Sequence, residues 1–389
     1  MYKPHTWVEI DLDNIKHNLN LIKAKLTNGS KIIGVVKADG YGYGSIEIAR
    51  FLAANNVDML AVSVLTEGIE LRRAGITLPI LLFNYVGVDN YDLLIHYDLT
   101  PTIYSLPFAL KLNDVAKSWN KIMDVHLNID TGMHRLGVLL KDLPNFLEKI
   151  KSCTYLNLKG LYSHFSTADE NDLNYTKYQL NQFIKAREII LSLGFDKVEF
   201  HLANSAAMMR EVAVGYDYVR VGAALYGFNP GENLNQGNLD APIKSSLTFK
   251  TLIGHLKTLK KGAAIGYGAT YITTKNTRIA TLPVGYADGL RRSFSNMGEV
   301  LIRGQRARIV GTIAMDQCMV DVTGIKGVKV GDEVVIIGKQ GNEEITLTDL
   351  AKLDNTISYE LPALINRRVP RYYLKNNKVL VVRGHVDNI

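Results

Sequence analysis

The segment Gly34-Val-Val-Lys37-Ala-Asp-Gly-Tyr41-Gly-Tyr-Gly44 joins an apolar run to a glycine-rich turn. Residues Ile32 to Val36 are all apolar or glycine, which predicts a short buried strand. Lys37 stands at the carboxyl end of that strand, and Ile46 to Ala54 then follow with helical periodicity. A strand, a polar turn and a helix in this order form the repeating unit of a parallel α/β fold.

The same alternation recurs about eight times between residues 12 and 240. The predicted strands are Ile32 to Val36, Met59 to Val64, Ile80 to Phe83, Thr102 to Tyr104, Met123 to Ile129, Leu158 to Ser163, Val198 to His201 and Tyr218 to Val221. Helices are predicted on the face Ile15, Leu19, Ile22 and Leu26, over Ile46 to Ala54, from a cap at Thr66 to Gly75, and over Tyr91 to Tyr97, Leu106 to Trp119, Leu143 to Ile150, Asp172 to Leu193 and Ser205 to Arg210. Eight repeats in roughly 230 residues favour an α/β fold with an N-terminal (β/α)8 barrel of the TIM type. A doubly wound open sheet shows the same alternation, and the spacing alone does not exclude it.

The pattern changes near Asn229 to Pro242, where Gly, Pro, Asn and Asp accumulate as in a linker. Short strands separated by turn residues follow, which predicts a mostly β C-terminal domain. We therefore expect a barrel domain over residues 1–240 and a β-rich domain over residues 241–389. The predicted strands of the second domain include Leu247 to Ile253, Arg278 to Pro283, Ala307 to Ile313, Cys318 to Val322, Glu333 to Ile337 and Val379 to Val382.

The composition is that of an ordinary globular protein. Of the 389 residues, 47% are hydrophobic and 21% are charged, which allows a sizeable core and argues against wholesale disorder. The net charge of +7 is scattered, so we expect no nucleic-acid partner. Cys153 and Cys318 lie far apart, which supports neither a disulfide framework nor a metal site. Without a signal core or an apolar run of about 18 residues, we expect a cytoplasmic protein that makes no membrane contact.

Polar residues follow several predicted strands at their carboxyl ends, where barrel enzymes place their sites. A partly desolvated lysine at position 37 would have a lowered pKa and suit Schiff-base or general-base chemistry. An ordinary surface lysine before a turn explains Lys37 equally well. Arg135, in the loop after the fifth strand, suits a carboxylate or phenolate oxygen, although a solvated loop arginine is the simpler interpretation. A lone histidine such as His164 is more often structural than catalytic.

The last two predicted strands of the barrel indicate a phosphate site. The segment His201-Leu-Ala-Asn204-Ser205 runs directly into a helix, and Ser205 with the following amides suits a phosphate at a helix N-terminus. Arg220 and Gly222 follow in the last strand, where glycine permits close approach of the backbone. In the second domain Tyr267 stands between two glycines, but turn chemistry alone explains such a loop.

Taken together, these segments resemble the alanine racemase family, from Trp7-Val-Glu-Ile-Asp11 to Arg368-Val-Pro-Arg371. The specificity lies in the order of seven motifs along nearly the whole chain rather than in any single motif. The resemblance implies a (β/α)8 barrel followed by a mostly β domain, with pyridoxal 5′-phosphate (PLP) as cofactor.

The resemblance also implies roles for individual residues. Lys37 matches the lysine that binds PLP covalently, and Tyr267 matches the second catalytic base. The positions that match cofactor-binding residues are Lys37, Tyr41, Arg135, His164, Asn204, Ser205, Arg220, Gly222 and Ala223. Those that match substrate-side residues are Arg135, Tyr286, Met315 and Asp316. In this family Tyr267, Tyr286, Met315 and Asp316 come from the partner subunit, so a homodimer with shared active sites is implied.

The implied reaction is the interconversion of L- and D-alanine, with D-alanine serving cell-wall peptidoglycan. Two bases on opposite faces of a planar carbanion perform such a racemisation, Lys37 for the D-enantiomer and Tyr267 for the L-enantiomer. A serine or broad-specificity racemase and a barrel-type PLP decarboxylase are alternatives. A PLP carrier is a further alternative, although carriers of this barrel type usually lack the second domain.

The chain departs from the family pattern at two positions. Asn128 stands where many relatives carry a carbamylated lysine beside the arginine, and Arg367 stands where a phosphate-contacting tyrosine is common. Because Asn128 cannot supply a negative charge, we expect a small anion, such as chloride, near Asn128 and Arg135. That expectation assumes a partly buried Arg135.

Overall fold

The computed structural model describes residues 4–231, 234 and 239–384. Its strands are β1 (Thr6–Asp11), β2 (Lys31–Val35), β3 (Met59–Val62), β4 (Ile80–Leu82), β5 (Thr100–Ile103), β6 (Met123–Asp130), β7 (Val138–Leu139), β8 (Leu156–Tyr162), β9 (Glu199–His201), β10 (Tyr218–Val221), β11 (Leu247–Leu252), β12 (His255–Leu259), β13 (Ala264–Ile265), β14 (Tyr271–Ile272), β15 (Thr277–Leu282), β16 (Glu299–Ile302), β17 (Gln305–Arg308), β18 (Cys318–Asp321), β19 (Glu333–Gln340), β20 (Glu343–Ile345), β21 (Arg371–Lys375) and β22 (Lys378–Arg383).

The α-helices lie mainly between the strands of the first part of the chain. They span Leu12–Ala24, Ser45–Ala54, Leu65–Arg73, Tyr91–His96, Leu106–Ser118, Leu143–Ile150, Asn174–Ser192, Ser205–Met209, Ala223–Tyr226, Leu347–Leu353 and Glu360–Ala363. Short 3-10 helices span Val88–Asn90, Leu140–Asp142, Tyr267–Ala269, Tyr286–Asp288 and Arg292–Phe294. None of the helices in the described ranges has the length and apolar character that crossing a bilayer requires.

Eight parallel strands close into a barrel. Each of β2, β3, β4, β5, β6, β8, β9 and β10 pairs with the next, and β10 pairs back onto β2. Consecutive residues of these strands are buried almost without interruption, and all four residues of β3 and of β10 are buried. Strands covered by helices on the outside lose their alternation of polar and apolar residues for this reason. The predicted barrel is confirmed, and the open sheet is excluded by the pairing of β10 with β2.

The chain divides into two compact units, which we call the barrel unit and the β unit. The barrel unit comprises Lys16–Gly40 and Ser45–Lys244. The β unit comprises Met1–Ile15, Tyr41–Gly44 and Ser245–Ile389. The division expected at residue 240 stays a prediction, but the first fifteen residues group with the β unit because β1 pairs antiparallel with β11 and parallel with β21. The predicted linker, Asn229 to Pro242, lies partly outside the described residues.

The β unit contains one large sheet and two small ones. The large sheet has the order β17-β16-β19-β11-β1-β21-β22, with β20 paired to β19. A three-stranded sheet has the order β12-β15-β18, and β13 pairs with β14. The expected mostly β character is confirmed. The predicted strand Ala307 to Ile313 is wrong beyond Arg308, where Gly311 adopts a positive φ of 78° and Ile309 makes only an isolated bridge to Val320.

The predicted helix cap at Thr66 is also wrong. The helix Leu65–Arg73 begins after Val64, and the carboxylate of Glu67 accepts hydrogen bonds from the amides of Ser63 and Val64. Glu67, in the first turn, therefore binds the amides just before the helix, and no side-chain oxygen of the N-cap residue, Val64, caps the first turn. The predicted end of this helix is supported by Gly75, which has a φ of 83°.

Candidate active site

Lys37 stands one residue beyond the end of β2, after Val36, at the start of a left-handed turn. The next four residues, Ala38, Asp39, Gly40 and Tyr41, have φ values of 53°, 54°, 61° and 56°. Left-handed backbone costs roughly 1–2 kcal/mol for each residue that has a side chain. The carboxylate of Glu67 stabilises the turn by accepting a hydrogen bond from Ala38 N at 2.6 Å. A turn held in this strained form fixes the position of Lys37, as strain at functional sites commonly does.

The environment of Lys37 favours its neutral amine. The side chain is half-buried, and this burial lowers the pKa of Lys37. The positive charge of Arg135 lowers the pKa further, whereas the carboxylate of Glu67 raises it. A lysine with a lowered pKa is a better nucleophile near neutrality, as a bond to a carbonyl carbon requires.

Arg220 lies buried on β10 and is surrounded by acceptors. Its Nη1 donates to His201 Nδ1 at 2.8 Å and to His201 O at 3.1 Å. Its Nη2 donates to Ser163 O at 2.7 Å and to Leu202 O at 3.0 Å, and lies 3.2 Å from His164 Nδ1. Burial lowers the pKa of Arg220 to about 10, so that the guanidinium still carries its charge near neutrality.

His164 is held neutral beside these cations. Burial, followed by the charges of Arg220, Arg135 and Lys37, holds the pKa of His164 well below its usual range. A neutral imidazole accepts the hydrogen bond that Arg220 Nη2 offers. The structure thus brings Lys37, Arg135, His164 and Arg220 close enough to influence one another, and the two guanidinium groups among them suit an anionic ligand.

The predicted phosphate segment lies at the ends of β9 and β10. Asn204 caps the helix Ser205–Met209, because its Oδ1 accepts from Ala207 N at 2.9 Å. Ser205 Oγ accepts from Gly222 N at 3.1 Å and from Ala224 N at 3.3 Å. No acceptor within the described ranges takes the hydroxyl hydrogen of Ser205, which can therefore be donated to a ligand oxygen. Ala223, at the start of the next short helix, lies beside these amides.

The residues predicted to bind a shared ligand from the second domain lie in the β unit. Tyr41, which was predicted to bind the cofactor from the barrel domain, also belongs to the β unit, and burial raises its pKa. Tyr267 follows β13 and stands between Gly266 and Gly268, which both have positive φ values, of 75° and 72°. Thr312 Oγ1 donates to Tyr267 O at 2.9 Å, and the Tyr267 side chain is 74% exposed. The hairpin thus fixes the backbone and leaves the phenol projecting outward.

Tyr286 and Met315 lie on two loops of the β unit that touch each other. Tyr286 N donates to Ala314 O at 3.1 Å, and the neighbouring Ala287 N donates to Met315 O at 3.0 Å. A Cβ atom added to Gly285 would lie 2.3 Å from the carbonyl oxygens of both Ala314 and Met315. Glycine at this position therefore allows the two loops to approach, and both side chains remain exposed.

An arginine that the sequence did not single out joins the same two loops. Arg368 Nε donates to Asp288 Oδ1 at 2.8 Å, and its Nη2 donates to Asp316 Oδ1 at 2.7 Å. The other oxygen of Asp288 accepts from Gly285 N at 2.9 Å. Arg368 thus clamps the loop of Tyr286 to the loop of Asp316. Its position in the motif Arg368-Val-Pro-Arg371 was the only available signal.

The structure corrects one assumption about Arg135. Its side chain is exposed in this chain rather than partly buried, because the loop after β6 carries it outward. Asn128, at the end of β6, is half-buried and hydrogen-bonds with Tyr162, whose hydroxyl also lies 2.9 Å from Thr102 Oγ1. The burial cost that motivated an anion beside Arg135 is therefore absent from the described chain.

Family models match nearly the whole chain. The model of the alanine racemase N-terminal domain matches residues 10–230, and that of the C-terminal domain matches residues 246–373. The chain belongs to the alanine racemase family. The predicted family and the predicted enzyme class, an isomerase that racemises alanine, are both confirmed.

Individual relatives agree with this membership. The alanine racemase of Halothermothrix orenii is 44% identical over 374 residues, which cover 96% of this chain and 97% of that protein. The structure of the Clostridium difficile 630 alanine racemase matches with a TM-score of 0.93 at 39% identity, covering 99% of each chain. The Bacillus anthracis alanine racemase with bound L-Ala-P matches with a TM-score of 0.92 at 35% identity, also covering 99% of each chain.

A more distant structure shares the fold. The alanine racemase of Bartonella henselae, with covalently bound pyridoxal phosphate, matches with a TM-score of 0.85 at 24% identity, covering 96% of this chain and all of that one.

Two buried histidines were missed by sequence reasoning. His201 was noted only as the end of a strand, and His126 was not noted at all. Both are fully buried, and His126 Nδ1 lies 2.8 Å from His201 Nε2. The available signal was a histidine with an apolar residue on each side, Val125 and Leu127 for His126 and Phe200 and Leu202 for His201. Such a histidine is more often a core residue than a site residue.

Proposed function

We propose that the chain interconverts L- and D-alanine with PLP bound covalently through Lys37. The observation that carries the proposal is the half-buried Lys37 amine with its lowered pKa, beside Arg135, His164 and Arg220. The covalently bound pyridoxal phosphate of the Bartonella henselae relative supports the same cofactor. When bound, PLP would withdraw electrons from the α-carbon of the amino acid and make its proton removable.

The residues of the barrel unit have the chemistry to hold this cofactor. The Nε–H of Arg220 has no acceptor among the described residues, so a donor remains for the pyridine nitrogen. The Ser205 hydroxyl has a hydrogen to donate to a phosphate, next to the backbone of Gly222. We propose that PLP is held by Lys37, Tyr41, Arg135, His164, Asn204, Ser205, Arg220, Gly222 and Ala223.

Two bases would move the α-proton. Lys37 would exchange the proton of D-alanine and Tyr267 that of L-alanine, each from its own face. Arg135 would bind the substrate carboxylate, and Tyr286, Met315 and Asp316 would line the substrate side. A tyrosine acts as a base near neutrality only where nearby positive charge lowers its pKa, so Tyr267 requires a cationic surface against it.

We propose that this surface belongs to a second copy of the chain. Tyr267, Met315 and Tyr286 are 74%, 53% and 43% exposed. Large apolar and aromatic side chains clustered on a surface mark a site of contact. A homodimer in which each β unit completes the partner's barrel site uses all of them.

Membership of the alanine racemase family favours alanine as substrate. The Bacillus anthracis relative binds L-Ala-P. Serine or a broader range of amino acids would meet only modest discrimination, because a methyl or hydroxyl group changes binding by little. The product, D-alanine, would supply cell-wall peptidoglycan.

An anion beside Asn128 and Arg135 also stays a proposal. Its support is the absence of a negative side chain at position 128 and the amide hydrogens that Asn128 can donate. The exposure of Arg135 removes the argument from burial. A bromide soak of crystals would show an anomalous peak in contact with both residues, whereas a water-filled site in halide would refute the anion.

Borohydride reduction of the PLP-loaded protein tests the cofactor assignment. The reduced protein should carry the pyridoxyl group on the peptide that contains Lys37. Lys37→Ala should abolish racemisation in both directions. A label on another lysine, or carbon dioxide release in place of D-alanine formation, would contradict the proposal and would favour a decarboxylase in the second case.

A further inference from the structure

Three buried side chains lie in a row across the barrel: Arg220 on β10, His201 on β9 and His126 on β6. Arg220 Nη1 lies 2.8 Å from His201 Nδ1, and His201 Nε2 lies 2.8 Å from His126 Nδ1. The proposed function gives no role to either of these histidines. Buried polar groups joined in such a row stabilise one another's positions only if every hydrogen bond along it has a donor and an acceptor.

The direction of each hydrogen bond in the row is fixed from the arginine end. A guanidinium only donates, so His201 Nδ1 must accept and carries no proton. The neutral His201 ring then carries its proton on Nε2 and donates it to His126 Nδ1. His126 in turn carries its proton on Nε2, an atom with no hydrogen-bond partner in the described part of the chain. One arginine therefore sets the tautomers of two histidines.

The same geometry keeps both imidazoles neutral. A second proton on His201 would point at Arg220, and a second proton on His126 would point at the N–H of His201. Burial and then the charge of Arg220 hold the pKa of His201 well below its usual range. Burial lowers the pKa of His126 to about 4 against the opposing charge of Glu199, while the charges of Lys159 and Arg220 lower it further.

Among the residues that the structure describes, Arg220 consequently meets only uncharged acceptors. They are the carbonyl oxygens of Ser163, His201 and Leu202 and the imidazoles of His164 and His201. These bonds occupy Nη1 and Nη2 and leave Nε–H as the remaining donor. A carboxylate in place of His201 would pair with the guanidinium and cancel much of its field. The neutral row fixes the arginine without reducing its charge.

We propose that His201 and His126 are positioning residues that hold Arg220 so that its Nε–H and its undiminished charge are available to the ring nitrogen of the cofactor. This inference rests on the proposed function, because it takes the ligand of Arg220 to be PLP. Neither histidine touches reacting atoms in this account, and each acts through Arg220.

The packing around His126 leaves the imidazole ring one defined place, against Gly160. A Cβ atom added to Gly160, on the adjacent strand β8, would lie 2.4 Å from His126 Nδ1 and 2.6 Å from its Cε1. The imidazole therefore fills the space that a side chain at position 160 would need. The only hydrogen bond that the described residues provide to the His126 imidazole is the one to His201. Leaving the buried Nε2–H unpaired costs free energy.

The first test is nitrogen NMR of the histidine side chains in the full-length, cofactor-free protein. Signals are assigned with His126→Asn and His201→Asn. Both rings should be neutral and protonated on Nε2 between about pH 5 and pH 8, the range in which ordinary histidines titrate. A ring protonated on Nδ1, or an ordinary titration at either position, would overturn the proposal.

The second test compares variants that keep or remove the accepting atom. Asparagine Oδ1 takes the place of histidine Nδ1, so His201→Asn and His126→Asn should retain an acceptor and bind PLP nearly as the wild type does. His201→Leu and His126→Leu should weaken PLP affinity by at least about tenfold, as loss of a hydrogen bond to a charged group implies. Equal affinity in the leucine and asparagine variants would contradict a positioning role.

The two tests separate this inference from the proposed function. If the leucine variants fail to fold, the tautomers of the wild type and the affinities of the asparagine variants still decide the question. Expected tautomers together with failure of PLP to label Lys37 would overturn the proposed function and, with it, the role toward the ring nitrogen. Labelling of Lys37 together with titrating histidines would overturn the positioning role alone.

Discussion

The lowered pKa of Lys37 has two causes, burial of the amine and the charge of an exposed neighbour, Arg135. Burial is the larger cause of its lowered pKa, and the charge of the exposed Arg135 adds to it. Charges at the surface are screened by water and salt, so the part due to Arg135 should depend on ionic strength. The pKa of Lys37 is thus lowered mainly by burial in the barrel and to a smaller extent by the charge of Arg135.

The pH dependence of cofactor capture tests this description. Only the neutral amine reacts with an aldehyde, so the rate of PLP capture by the cofactor-free protein should rise with pH and reach half its maximum at the pKa of Lys37. A lowered pKa places this midpoint below that of an ordinary lysine. Arg135→Gln should move the midpoint upward, whereas Arg135→Lys, which keeps the charge, should not. An unchanged midpoint in Arg135→Gln would show that burial alone lowers the pKa.

Tyr267→Phe should separate the two faces of the substrate. The variant loses the base proposed for L-alanine, so exchange of the α-proton of L-alanine with solvent deuterium should fall by on the order of a hundredfold or more. Exchange from D-alanine, which depends on Lys37, should fall much less. Tyr271→Phe in the same hairpin is the matched control. Equal losses for both enantiomers would contradict two separate bases.

Among the elements of the fold, the proposed substrate side of the β unit depends on two loops that meet at Gly285. Their backbones are joined by hydrogen bonds, and Arg368 bridges Asp288 and Asp316 across them. Such a clamp limits the positions that Tyr286 and Met315 can occupy. The rate of an enzyme depends strongly on the precise placement of the groups that contact its substrate.

Gly285→Ala should disrupt this pair of loops. The new methyl group would overlap two carbonyl oxygens at 2.3 Å, so we expect the free energy of unfolding to fall by about 1–3 kcal/mol or more, with a raised KM for alanine. Gly324→Ala is the matched control, because nothing lies within 4 Å of a Cβ atom there, and it should change stability by less than about 0.5 kcal/mol. Similar effects of the two substitutions in urea unfolding would argue against the described loop contact.

The barrel could be predicted because its signals are local. Apolar runs and helical periodicity are visible within a few residues, and the carboxyl ends of parallel strands meet at one rim, so Lys37, Arg220 and Ser205 could be singled out. Strand β1 could not be predicted in the same way. Its partners β11 and β21 lie in the last part of the chain, and nothing near Thr6–Asp11 indicates them.

Other features of the site depend on tertiary neighbours that a sequence does not name. The exposure of Arg135 is decided by the path of its loop, and the row of Arg220, His201 and His126 forms only when the four strands β6, β8, β9 and β10 pair in that order. Arg368 joins two loops through Asp288 and Asp316, which are distant from it in sequence. The sequence therefore indicated which residues lie at the rim of the barrel and missed those that hold them in place.

For the whole molecule, the proposed homodimer would bring two chains to each active site. Lys37 belongs to the barrel unit and Tyr267 to the β unit, and the Tyr267 side chain is largely exposed. A shared site makes activity depend on dimerisation and therefore on protein concentration. It also makes complementation between inactive subunits possible.

Mixing Lys37→Ala with Tyr267→Phe subunits should restore activity. Each mixed dimer would contain one intact site, so random exchange should return about a quarter of wild-type activity. Tyr267→Phe mixed with a subunit carrying both substitutions is the control, because no intact site can form. No recovery after subunit exchange has been demonstrated would place both bases in one chain.

The most direct test of the central claim is the conversion of L-alanine in deuterated water by the PLP-loaded wild-type protein. We expect the two enantiomers to reach equal amounts, with solvent deuterium on the α-carbon of the D-alanine formed, and we expect no conversion by Lys37→Ala. Formation of no D-alanine, or of D-alanine without α-deuterium, would contradict proton transfer by Lys37 and Tyr267 as the reaction of this chain.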